Sequence, residues 1–432
     1  MKRMIFTVAF LAYSFLAING QNVFKCRYDT INIDTIFGIN NLYHSCHMDT
    51  LLELDTCAKY YSNMIQYIPD LDTAKPLHVP PIKTLKVNIN IIQKDDGSGN
   101  IQNDSVDLKR IRKIVNNIND FYSSKAPSDP INWVTELPNY DSRIRFSIGE
   151  FGDERIFFYR NSSWWEPSNA HRNVDSIKEY LRINYPERLE EINIFVFGNH
   201  DFTNNYASAS PPSYYNYDFS QYIIAYNWIP DADWGISKLL AHELAHLMGL
   251  LHTYLGGGAS AICDMNNPEF LKDVFLVLPP DSINCPHICD YSANAYEFNG
   301  DGITNNILGG NKSECYISPM QAGQMHRALS LSSARKYVTS GKSEVPLVIN
   351  NNQIWDFDMK LYQDLIVESE AQLTLTCHLV MNPDTKIIIK PGGRLIIDGA
   401  VIGTDIFEKE MWQGIEVWGN SSAHQYPVNG GY

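Results

Sequence analysis

The stretch HELAHLMGLLH, His242 to His252, restricts this chain more than any other. On an α-helix His242 and His246 lie one turn apart and point the same way, so both imidazoles can reach one ion. His252 follows six residues later; in a continuing helix it would stand about 9 Å along the axis and about 240° round, facing away. The helix must therefore stop first. Gly249 stands where a left-handed C-terminal cap is needed, a conformation that glycine takes without steric cost. Three neutral imidazoles leave one position of a tetrahedral Zn²⁺ open, the pattern of a catalytic zinc. Glu243, next to the first ligand, is placed as the general base that takes a proton from an activated water and passes it to a leaving amine. The blander reading is a helix that carries histidines by chance. These residue types at these offsets arise by chance on the order of a few times 10⁻⁵ per chain of this length. A closed structural zinc would usually recruit cysteine thiolates, which this stretch lacks.

Two features place that site outside the cytoplasm. MKRMIFTVAFLAYSFLAINGQ starts with two cations and then runs apolar from Met4 to Ile18, the layout of a secretory signal peptide over residues 1–20. The run is shorter than the about 20 apolar residues a membrane span needs, and no later segment is longer, so an exported protein with no integral membrane span is expected. The chain's eight cysteines would then sit where disulfides persist. A formal net charge of −15 argues against a nucleic-acid partner, because phosphate backbones reward clustered Lys and Arg.

With 432 residues there is room for two or three domains. Residues 21–82 hold Cys26, Cys46 and Cys57, few strand signals and a closing PLHVPPIK, and read as a leading pro-segment and linker. Residues 83–342 read as an α/β layer. LKVNINII alternates like a strand, and Ser105 to Tyr122 reads as a helix capped by Asp104 or Ser105, with Ile111, Ile114, Val115, Ile118 and Phe121 on one face. RIRFSIG, ERIFFYR, INIFVFG and QYIIAYNW are further strands, with a helix near Val174 to Ile183, which together suggest a mixed sheet backed by helices. The active-site helix, 236–248, is followed by a loop-rich stretch. A last helix over 318–338 takes Ser318 as N-cap and Pro319 at its first position. Residues 343–432 change character to short β segments with Gly-rich corners, spaced by roughly 20 residues. Rungs of a parallel β-helix and a small antiparallel sandwich both fit. A β-helix would stop at Tyr432 without a cap, which implies a longer natural chain.

His242, Glu243, His246, Gly249 and His252 together match the long zinc-binding signature of the metzincin metallopeptidases. The stretch His252-Thr253-Tyr254, the cysteines beyond it and TNNILGGNKSECYISPMQAGQMHRAL (304–329) resemble the pappalysin branch, especially its bacterial secreted members, in which an Asn-Asn-Ile-Met-x-Tyr turn precedes a Ser-Pro-x-Gln helix. The resemblance implies a secreted zinc endopeptidase acting on a peptide or protein substrate laid along a sheet edge. His242, His246 and His252 would be the metal ligands and Glu243 the catalytic residue. It departs from the family twice. Leu308 aligns with the methionine of the Met-turn, a nearly volume-conserving exchange. Gly310 aligns with a tyrosine that helps stabilise the oxyanion, and loss of one such donor can cost about 10²–10³ in turnover. Tyr254, Tyr291, Tyr296 and Tyr316 are the candidate substitutes. A zinc-bearing scaffold that has lost efficient hydrolysis and works through its β module is the alternative function.

Cys263, Cys285, Cys289 and Cys315 are candidates for two structural disulfides bracing the loops around the site, with the pairing open among three arrangements. Cys26 is a candidate latency ligand, a thiolate on the open zinc position until the leading segment is removed; pairing within that segment or with Cys377 competes with it. FNGDGITNN (298–306) offers Asn299, Asp301 and Asn305 to Ca²⁺ but has Leu308 where the twelfth-position acid belongs, which favours a plain turn. Trp164 and Trp165 fit a partner contact or a buried loop anchor. His171, His200 and His326 are isolated, and read as ordinary surface or core histidines.

Overall fold

The computed structural model describes residues 64–69, 81–124, 140–198 apart from 151 and 166–169, 206–210, 221–226, 233–251, 306–308 and 316–422 apart from 340, with single positions 212, 228, 271 and 273. Six strands form the first sheet: β1 (Lys83–Gln93), β2 (Ile144–Ser147), β3 (Ile156–Arg160), β4 (Ile192–Val196), β5 (Tyr206–Ala209) and β6 (Tyr222–Tyr226). Their order is β2-β1-β4-β6-β5, with β3 pairing the second half of β1 beside β2. All pairings are parallel except β5 on β6. Parallel neighbours need crossovers, and α1 (Ser105–Tyr122) and α2 (Ala170–Asn184) supply two of them. The α/β layer with a mixed sheet is thus as the sequence indicates, and β5 is the one strand the periodicity does not reveal.

One face of the sheet carries α1 and α3 (Asp233–Leu247). Asp104 caps α1 by accepting from the amides of Val106 and Asp107, both at 2.9 Å. Five apolar residues of α1, Ile111 to Phe121 at helical spacing, enter the core, each worth about 1.5–3 kcal/mol of burial. The two helices are tied by Tyr122 Oη donating to Ala241 O at 2.9 Å and by Asp233, which accepts from Arg110 and Lys113 of α1. The second face is covered by α2 with Ile92, Phe195 and Phe197. The alternation in LKVNINII is therefore not that of a half-solvated strand. Asn88 and Asn90 are fully buried, and both donate to Asn193 Oδ1 on the neighbouring strand, at 3.3 and 3.0 Å.

α4 (Pro319–Leu331) ends this unit. It starts on Ser318 with a reciprocal capping box to Gln321, and Pro319 stands at the first turn. Helical spacing continues to 338 in the sequence, but the α-helix stops at Leu331, where Ser332 accepts from Ala334 N and begins a 3₁₀ turn, Ser333–Tyr337. The chain then bridges back to β1, Leu85 against Val338, before leaving for the β module.

The module holds β7 (Ser343–Ile349), β8 (Gln353–Trp355), β9 (Met359–Leu361), β10 (Gln363–Val367), β11 (Gln372–Leu375), β12 (Leu379–Met381), β13 (Ile387–Ile389), β14 (Arg394–Ile397), β15 (Ile402–Thr404) and β16 (Ile415–Val417). They fall in rotation into three sheets, β16-β13-β10-β7, β14-β11-β8 and β15-β12-β9. Every pairing is parallel, with Leu347, Leu365, Ile387 and Ile415 in one register column, so the antiparallel sandwich does not describe it. Leu365, Val367, Leu373, Leu375, Leu379, Met381, Ile387 and Ile389 fill its interior.

The leading segment reaches into the junction of these two units. Tyr67 is buried in the module's core against Phe357, ring centroids 5.7 Å apart, and its hydroxyl donates to Asp358 O. Pro69 O accepts from the buried Tyr140 Oη at 2.6 Å, and Ile68 packs on the main core. Residues 64–69 are thus part of the folded body, although the composition of 21–82 reads as removable. No helix among the described residues is long and apolar enough to cross a membrane.

Candidate metal centre

α3 carries the predicted triplet His242, Glu243 and His246 on a helix that is buried nearly all round. It ends as the spacing requires. Gly249 has φ +84°, its amide donates to His246 O at 2.9 Å, and the Leu250 amide donates to Ala245 O at 3.1 Å, the paired bonds of a Schellman cap.

That cap also serves the second histidine. Leu250 O lies 2.7 Å from His246 Nδ1, while Ile307 O lies 2.7 Å from His242 Nδ1. A carbonyl oxygen only accepts, so both Nδ1 atoms carry protons, and both neutral rings present an Nε2 lone pair. The two Nε2 atoms face each other at 3.0 Å. Bare lone pairs at that distance repel, and either a shared proton or a cation relieves them. Burial holds the His246 pKa below its ordinary value and so disfavours a second proton, although the Leu250 bond pulls the other way. Two imidazole nitrogens on a tetrahedral zinc, at about 2.0–2.1 Å each, would be separated by roughly 3.3 Å, so the pair fits such an ion after a shift of a few tenths of an ångström. Among the described residues no third His, Cys, Asp or Glu completes the group. His252, the expected third ligand, lies outside them, as do Gly310, Cys26, Cys263, Cys285, Cys289, Cys315 and the calcium-loop residues Asn299, Asp301 and Asn305.

Glu243 is 6% exposed. Burial pushes its carboxyl up to about 8, opposed by a hydrogen bond from the Ala209 backbone on β5. A neighbouring divalent cation would favour the carboxylate. β5 is the antiparallel edge of the sheet and packs on α3, which brings a strand edge beside the glutamate.

Leu308 is fully buried in the same core as Ala241 and Ala245. The turn it belongs to is held by Asn306, whose Oδ1 accepts from Leu308 N at 3.0 Å. Tyr316 bridges this turn through its backbone, Ile307 N to Tyr316 O at 2.8 Å. Its hydroxyl is buried without a hydrogen-bond partner among the described residues, and burial and the Asp273 carboxylate hold its pKa above the ordinary phenol value. Asp273, which sequence reading does not single out, accepts from Ser318 Oγ at 3.0 Å and Met320 N at 2.8 Å, and so braces the start of α4.

His200, Tyr254, Tyr291 and Tyr296 also lie outside the described residues, and three remaining candidates within them resolve as ordinary structure. His326 is buried with Nε2 2.7 Å from Ser142 O. Trp165 packs against Gly198, where an added Cβ would fall 2.1 Å from the indole, and so acts as a loop anchor. Cys377 is buried and disulfide-bonded.

No family model matches the chain, and no curated protein does. Among solved structures, the chain is similar to the crystal structure of catalytic inactive OgpA from Akkermansia muciniphila in complex with an O-glycopeptide (glycodrosocin) substrate. The identity is 14%, over 44% of this chain and 54% of that one, with a TM-score of 0.25. The match thus spans about half the length of that structure.

Proposed function

We propose that this chain is an exported zinc-dependent endopeptidase of metzincin type, with Glu243 as general base and His242, His246 and His252 as the metal ligands. The observation that carries the reading is the facing pair of Nε2 atoms, 3.0 Å apart, on rings whose Nδ1 atoms are both committed to carbonyls. A zinc ion there would supply Lewis acidity toward a water and a scissile carbonyl. The chain's own parts do the rest. Glu243, one residue from a ligand and hydrogen-bonded to the edge strand, is placed to take a proton and return it to the leaving amine. The side of β5 with no partner strand among the described residues would offer backbone groups to an extended substrate, which would bind as an added strand. The rotation of strands through three parallel sheets supports reading the module as a parallel β-helix, used for binding or spacing. Export rests on the sequence of residues 1–20, and latency through Cys26 remains part of the same reading.

Gly310 and Leu308 favour one second reading, a zinc-bearing interaction protein with little turnover. Metal analysis and cleavage of a broad peptide library, run on protein lacking residues 1–63 beside Glu243→Gln, separate the two. Stoichiometric zinc with cleavage only by the unsubstituted protein is expected. Zinc without cleavage would transfer the assignment to the interaction protein, and absence of zinc would overturn both.

A further inference from the structure

We infer that Asn306 and Gln321 are positioning residues that fix the tautomer and orientation of the His242 imidazole; this rests on the zinc reading above. The two metal-facing rings are held in different ways. His246 leans on Leu250 O, four residues along its own chain, and the helix cap fixes that carbonyl without outside help. His242 leans on Ile307 O, 65 residues away on a short turn, so something else must hold that carbonyl still.

The holder is a closed pair of side-chain amides. Asn306 Nδ2 donates to Gln321 Oε1 at 2.7 Å, and Gln321 Nε2 donates back to Asn306 Oδ1 at 3.0 Å. Each oxygen then takes a backbone donor, Leu308 N on Asn306 Oδ1 and Ser318 N on Gln321 Oε1, both at 3.0 Å. Asn306 is 2% exposed and Gln321 fully buried, so none of these bonds competes with bulk water. The ring of bonds spans Ile307 from both sides and ties it to the first turn of α4. Only a group that both donates and accepts can close a reciprocal pair. A carboxylate at either position keeps its backbone acceptor role and loses one bond across the pair. A ligand histidine whose second nitrogen is held in this way keeps the Nδ1–H tautomer and presents Nε2 to the metal. Loss of such a partner typically costs ten- to a hundred-fold in metal affinity.

The test measures zinc affinity by chelator competition, thermal unfolding of zinc-free protein, and the His242 tautomer by ¹⁵N NMR, in wild type, Asn306→Asp, Gln321→Glu and Ser318→Ala. Ser318→Ala weakens the α4 cap but leaves the amide pair. We expect affinity about ten- to a hundred-fold lower in Asn306→Asp and Gln321→Glu, with Ser318→Ala close to wild type. Unchanged affinity in the two amide variants, or a loss no greater than in Ser318→Ala, would show a merely structural pair and overturn the inference. So would an Nε2–H tautomer of His242 in zinc-free wild type, a measurement that stands even if a substituted chain fails to fold. A wild type that binds no zinc while His242 keeps the Nδ1–H tautomer would sink the functional reading instead.

Discussion

Removal of everything before Lys83 should destabilise the folded body markedly more than removal of residues 1–63 alone. The difference is worked from what residues 64–69 touch. Tyr67 is 6% exposed and packs against Phe357 in the module's core. Deleting a buried aromatic side chain costs about 3–5 kcal/mol. Loss of Pro69 O leaves the buried Tyr140 hydroxyl without the acceptor it meets at 2.6 Å, which adds about 1–3 kcal/mol. The sum, roughly 4–8 kcal/mol, is a large part of the about 5–15 kcal/mol that holds an ordinary domain. Urea unfolding of the two truncated proteins, followed by tryptophan fluorescence and far-UV circular dichroism, should give a markedly lower midpoint for the shorter one, or no folded protein at all. Tyr67→Ala in the longer protein should reproduce most of the loss. Equal midpoints for the two truncations would refute the argument and restore 21–82 as a dispensable linker. If a leading segment is removed during maturation, the same reasoning puts the cut before Met64.

Gly249→Ala forces an L-residue to φ +84°, at a cost of about 1–2 kcal/mol, and should lower the melting temperature and weaken zinc binding through the displaced Leu250 carbonyl; Gly249→Asn should lose less on both measures. Lys83 is buried beside Lys360, and that burial, followed by the like charge, lowers its pKa to about 7 from 10.5. The folded state therefore binds fewer protons than the unfolded chain between those values. Stability from this group is absent below pH 7 and grows as pH rises toward 10.5, so urea midpoints should climb from pH 6.5 to 9 and the climb should flatten in Lys83→Met. Asp405 is fully buried and bridges Lys360 at 2.9 Å and Arg335 at 3.1 Å; Asp405→Asn should cost about 3–5 kcal/mol in thermal or urea unfolding, whereas a cost below about 1 kcal/mol would show that Glu408 alone satisfies Lys360.

What the sequence discloses and what it hides divide along a physical line. Interactions closed within a few residues are legible: the helical offset of His242 and His246, the glycine that ends their helix, the Asp104 cap, and the Ser318 box with Pro319 behind it. Each is a local geometry that a residue type either permits or forbids. Contacts closed over long separations are not legible, because the residue types involved are common and their partners lie elsewhere in the chain. Tyr206–Ala209 is four residues with no apolar alternation; it becomes a strand by pairing with β6, and only the fold brings Ala209 to Glu243. Asn88 and Asn90 look like the wet side of a strand until Asn193 is seen to receive both. Tyr67 sits in a segment whose composition reads as a linker, yet its ring fills a core built some 290 residues later, the separation of its hydroxyl bond to Asp358 being 291.

The centre itself joins the two kinds. HELAH alone brings two imidazoles to one side of a helix, but rotation of each ring about its own axis would leave either nitrogen free to face the ion. The local cap settles this for His246, and a carbonyl from a distant turn settles it for His242. A motif therefore specifies where the imidazoles stand, and the hydrogen bonds behind them specify which nitrogen each presents. In this chain the second requirement gives a reason for a buried asparagine and glutamine to pair behind Ile307, on a turn whose Ile307 and Leu308 also fill the core.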